Sequence, residues 1–119
     1  MAGKTDYAEN QTLTDLLGGT VYCAMSTAAT GDDGSITEPA VGSYARKVMA
    51  FTIIGDSAKN ALTDFIQATA NWGTLTHFAI FDALSGGNML YHDALDAAVT
   101  INDTEILQWP LDSLEITED

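Results

Sequence analysis

The sequence predicts an all-β fold: a single antiparallel β-sandwich or jelly-roll-like domain with a short N-terminal helix. Three observations carry this reading. After Gly19 the apolar residues fall in short, mostly alternating runs, the period of a strand with one face buried. Gly- and Asp-rich turns separate those runs at short intervals, as in sandwiches and barrels and unlike alternating strand–helix folds. Only the opening segment carries a helical stripe.

That stripe is Leu13, Leu16 and Leu17. Asp6 is expected to cap the helix, with Glu9 at capping-box spacing and Gly18-Gly19 as a left-handed stop. A helix this short is marginal alone in water, so its leucines must dock, most simply on the chain's own sheet. Val21, Cys23 and Met25 then share one face of a strand, with Tyr22, Ala24 and Ser26 on the other. Residues 29–43, with Gly31, Asp32, Asp33, Gly34, Pro39 and Gly42, read as a long surface loop. Tyr44 to Ile54 reads as one long strand with Ala45, Met49, Phe51 and Ile53 on one face, broken by Gly55-Asp56-Ser57. A shorter strand is expected around Leu62 to Ile66, and a turn near Ala70 to Gly73.

Leu75 to Phe81 is the strongest strand signal. Ser85-Gly86-Gly87-Asn88 turns the chain into a returning strand, Met89 to Leu95, so the pair predicts a hairpin with a four-residue loop. Val99 with Ile101, Ile106 to Trp109, and Leu114 to Thr117 complete the set, with Asn102-Asp103 as a turn. The expected organisation is an arm and helix over residues 1–19, followed by the β domain over 20–119.

Composition narrows the function. Seventeen Asp and Glu against four Lys and Arg give a formal net charge of −13 in 119 residues. Such a surface repels phosphates, which argues against nucleic-acid binding. No apolar run approaches the length of a membrane helix, and the opening residues carry no secretory pattern. The single cysteine, Cys23, cannot form an internal disulfide and suits a small buried hydrophobe on its strand face. High net charge serves solubility first, and also suits a subunit that stays apart until it adds to an assembled surface.

Catalytic patterns are missing: no GxSxG, HExxH, GxxxxGK[ST] or CxxC. His77 and His92 both fall in the predicted hairpin and would bind a metal only if they faced each other beside Asp82 or Asp93. Hydrogen bonding within the sheet is the simpler role. Asp32-Asp33-Gly34 lacks the remaining ligands of a calcium loop and reads as an acidic turn. No metal, cofactor or catalytic residue is therefore expected, and binding must carry the function. Tyr44, Tyr91, Trp72 and Trp109 lie at or beside strand ends, either plugging the sandwich or anchoring an interface. Together with Leu13, Leu16, Leu17 and Arg46, which can pair with a nearby carboxylate, they form the set of interface candidates.

The run Asn71-Trp72-Gly73-Thr74-Leu75-Thr76-His77-Phe78-Ala79-Ile80-Phe81-Asp82-Ala83, continued by Gly86-Gly87-Asn88-Met89-Leu90, resembles a family of small tailed-phage virion proteins. Tyr7-Ala8-Glu9-Asn10, Leu16-Leu17-Gly18-Gly19, Val21 to Thr27 and Gly42 to Arg46 resemble the same family, so the likeness spans nearly the whole chain. Gln67 stands where the family commonly has proline, and Asp93 where it has glycine. Members are usually labelled tail fibre, structural or hypothetical protein.

The resemblance implies a non-catalytic virion structural protein, made in the host cytoplasm and carried in the particle. Its expected partners are the major capsid protein or tail and baseplate proteins, with a homo-oligomer, a trimer among the options. The first reading is a capsid decoration (cement) protein. The alternative is a tail, baseplate or fibre component, and a third is a carbohydrate-binding module.

Overall fold

α1 (Asp6–Leu17) opens the computed structural model, which describes residues 3–117. The ends of the expected arm and β domain, residues 1–2 and 118–119, lie outside the described residues. Thr5, not Asp6, caps α1: its hydroxyl accepts from the Ala8 N–H at 3.2 Å. Asp6 is already helical and adds negative charge to the first turn, where the helix dipole favours it. Gly18 ends the helix in the right-handed region, at φ −74, with its N–H on the Thr14 carbonyl at 2.9 Å. The expected left-handed stop is not used. Glycine serves there for space, since a Cβ would collide with the Thr14 carbonyl oxygen.

The strands are β1 (Tyr22–Ser26), β2 (Lys47–Val48), β3 (Phe51–Ile54), β4 (Ser57–Asn60), β5 (Thr63–Asp64), β6 (Gly73–Phe81), β7 (Met89–Ile101), β8 (Gln108–Trp109) and β9 (Glu115–Thr117). They form a four-stranded sheet in the order β2-β1-β6-β7, a three-stranded sheet β3-β4-β9 and a ribbon β5-β8. Every pairing is antiparallel, so the predicted all-β class with one short helix holds.

Several strands differ from expectation. Tyr44 to Ile54 is not one strand but β2 and β3, in different sheets, and Ala45 is exposed. The break is at Met49-Ala50: Met49 is fully buried and bonds Val21, while the Ala50 carbonyl accepts from Ala61. The chain changes sheets there. β4 begins at Ser57, expected as a turn, because Gly55 alone takes the left-handed conformation at φ 61. The strand around Leu62 to Ile66 shortens to β5, with Leu62 and Ile66 exposed around buried Phe65. β7 runs 13 residues instead of stopping at Leu95.

The core lies between the sheets and under the helix. Leu13 and Leu17 join Cys23, Met25, Ala58, Trp72, Ile80 and Ile116, so α1 docks on its own domain as expected. The opposite face of β1 and β6 holds a smaller cluster of Ala24, Ala79 and Phe81, covered by Ile36 from the 29–43 loop and by Met89. β1 is thus buried on both faces. Asn60, also fully buried, is satisfied: it donates to the Ala61 and Pro110 carbonyls and accepts from the Leu114 N–H at 2.8 Å. This fixes the turn leading into β9.

The β6–β7 hairpin loop follows its sequence closely. Gly86 and Gly87 take φ 64 and 74, and Asp82 accepts from the Asn88 backbone and side-chain N–H groups at 2.7 and 3.0 Å. At Gly87 a Cβ would sit 2.6 Å from the Ala83 Cβ. Gly87→Ala is expected to cost about 1–2 kcal/mol for the backbone conformation alone, read as a lower urea midpoint with an unchanged slope.

The Asn88 backbone N–H, then its side-chain amide, hold the Asp82 carboxyl below its usual 3.8. A depressed folded-state value means the loop's stabilisation is complete above that usual pKa and lost as pH falls through the lower one. The Asn88 amide resonance is expected to stay in place on acidification until pH is below about 4, and then to move.

Candidate binding surfaces

The structure sorts the eight interface candidates into two places and a core. Leu13, Leu17 and Trp72 are buried, and Leu16 packs partly against them. Tyr44 and Arg46 come together near Trp72, whereas Tyr91 and Trp109 lie by β7 and β8.

Arg46 centres the first group. Its guanidinium meets Glu38 in a two-point ion pair, Nε to Oε1 and the second terminal nitrogen to Oε2, both at 3.0 Å. The remaining terminal nitrogen donates to the Ala83 and Gly86 carbonyls at 2.9 and 2.8 Å. The plane rests 3.7 Å above the Phe81 ring. The carboxylate partner that the sequence leaves unnamed is therefore in the same chain. Tyr44 extends the network, donating to Glu38 at 2.7 Å and accepting from the Met25 N–H at 3.0 Å. Burial, foremost, pushes the Tyr44 hydroxyl pKa up, so it stays a neutral donor. This group ties the long loop, the β2 approach and the hairpin loop into one body.

The histidines do not oppose each other. His77 pairs with Ala94 in register and His92 with Ala79. Each has local work: the His77 ring meets Thr76 at 2.8 Å, while His92 bonds Thr30 at 2.7 Å and Asp32 at 2.8 Å. His92 thus fastens the 29–43 loop to the sheet. Asp33 accepts from the Ser35 N–H and hydroxyl, the turn role expected of it. Cys23 is fully buried and its thiol pKa is pushed up by desolvation, opposite to what a nucleophile needs. Where α1 meets the β3–β4 turn, Asp6, Glu9 and Asp56 bring carboxylate oxygens within 4.8 Å of one another. Asp6 and Glu9 sit in the first helical turn, whose dipole offsets their charge.

The second place is an open seam. Two depressions of about 290 and 230 Å³ share Leu95, Asp96, Trp109 and Ser113. Phe78 floors the first and stacks edge-on against Trp109 at 5.5 Å, and Tyr91 lines a smaller hollow beside it. The seam exists because β7 bulges. Leu75 pairs with Val99 and His77 with Ala94, so only Thr76 stands opposite residues 95–98. Bulges of this kind re-aim side chains beside functional surfaces. Asp96, Leu95 and Ser113 were not singled out by sequence, although Leu95-Asp96-Ala97-Ala98 does break the alternation of the strand and hints at the bulge. Glu38 gave no signal at all.

No helix among the described residues is long and apolar enough to cross a membrane. Compared with known proteins, residues 3–117 match a family model described as podophage GP4 fiber I protein gp80. No curated protein matches the chain.

Proposed function

Because the chain belongs to the family described as podophage GP4 fiber I protein gp80, and so to virion proteins, we propose that it is a structural component of a phage tail fibre. It acts by holding other virion proteins and not by catalysis. The observation that carries this reading is the extent of the match: residues 3–117 cover the α1 helix, all three sheets and both binding surfaces. The family description favours the fibre over the capsid-decoration role that the sequence put first.

The fold supports a scaffold role. A hairpin held by Asp82 and clasped by Arg46 presents a rigid surface, and rigid elements lose little entropy on binding. The cysteine and histidines are occupied in packing and hydrogen bonds within the domain. In the assembled fibre the chain works as a symmetric homo-oligomer, since closed symmetry multiplies weak contacts.

The test is a count and a location. Quantitative mass spectrometry of purified virions should find on the order of ten copies per particle, as a symmetric tail appendage requires. Gold-labelled antibody should mark the tail. Hundreds of copies, or labelling over the head, would return the protein to the decoration role.

A further inference from the structure

The seam described above is bordered by strands that all end their sheets. β7 closes the order β2-β1-β6-β7, β9 closes β3-β4-β9, and β8 pairs only with β5. β7 contributes the length, 13 residues against two in β8 and three in β9. A long sheet edge is a template on which another extended chain can pair.

Side chains at the seam select what that chain carries. Leu95, Val99, Leu107 and Trp109 supply apolar surface, with Asp93 and Asp96 beside them. Glu115 lies at the same place, where its carboxylate accepts from the Ser57 hydroxyl at 2.6 Å. Among the described residues, no Lys, Arg or His lines either depression.

We propose that this seam receives an extended segment of another virion protein in which Lys or Arg stand among apolar residues. The segment pairs along β7, sets apolar side chains against Leu95 and Trp109, and places its cations over Asp93 and Asp96. A second copy of this chain is a poor source of such a segment: of its four basic residues only Arg46 and Lys47 stand together, and Arg46 is held by Glu38. The assignment rests on the chain being a virion component.

The experiment titrates isotope-labelled full-length protein with a synthetic peptide of about eight residues, the span of a typical strand, in which Lys and Val are mixed so that both occur on each face. Amide shifts are expected at residues 93–99 and 107–115. Affinity should fall with added salt, and about tenfold in Asp93→Asn/Asp96→Asn, as two rim charges imply. The double variant should melt with the wild type, which separates binding from folding.

Three results would overturn the proposal: shifts confined to other surfaces, equal binding of a Glu–Val peptide, or the same seam shifts on concentrating the protein alone. The last would name a second copy as the occupant. If the protein proves absent from particles while the Lys–Val peptide still binds at the seam, the fibre reading fails and the seam's chemistry stands.

Discussion

Trp72→Ala is expected to lower the unfolding free energy by about 3–5 kcal/mol, the range for truncating a large buried aromatic. Against a typical total of roughly 5–15 kcal/mol, that threatens folding outright. Trp72 is 3% exposed and sits at the start of β6, between Tyr44 and Phe65, edge-on to both at 5.2 and 6.4 Å. Its backbone cannot move to close the cavity. The N–H is bonded to the Ile101 carbonyl at 2.9 Å, and the next residue, Gly73, is fixed at φ 92. Trp72→Phe should cost far less, because the indole N–H has no hydrogen-bond partner among the described residues to lose. Urea denaturation of both variants checks the pair. An alanine variant with the wild-type midpoint would mean that Trp72 does not hold the core.

What the sequence made legible follows from where local chemistry and tertiary packing agree. The hairpin was readable because Asp82, Gly86, Gly87 and Asn88 each have one conformational purpose, and all four serve it. The helix was readable from its leucines, yet its cap was misplaced by one residue because Thr5 and Asp6 are both good caps. β4 was not readable. Its side chains, Ser-Ala-Lys-Asn, have no apolar alternation, and it is a strand because β3 and β9 pair on either side of it.

The same division applies to the sites. Aromatic type and strand-end position picked out Tyr44, Tyr91, Trp72 and Trp109, but not which pairs would meet. Tyr44 and Arg46 meet through Glu38, six and eight residues back along the same loop, whereas Trp109 meets Phe78 from a distant strand, and no periodic pattern encodes either contact. The seam depends on a change of register between β6 and β7, a property of two strands together.

Arg46→Ala is expected to cost about 3 kcal/mol, the low end for breaking a buried ion pair, because Glu38 keeps 24% of its side-chain surface in water. The Arg46 side chain itself is only 7% exposed. Removing it leaves the Glu38 carboxylate with its Tyr44 hydrogen bond but no counter-charge, takes the donor from the Ala83 and Gly86 carbonyls, and uncovers the Phe81 ring. Arg46→Lys should recover only part of the loss. A single ammonium cannot reach both carboxylate oxygens and both carbonyls at once, nor lie flat on a ring.

A double-mutant cycle decides what the pair contributes. If Arg46→Met/Glu38→Leu is more stable than both Arg46→Met and Glu38→Leu, the cost of each single change is a stranded charge and not lost attraction. In that case the clasp's purpose is to set the relative position of three loops. The double variant should then fold but show faster amide exchange over residues 83–88. If exchange there is unchanged, the loops hold their places without Arg46.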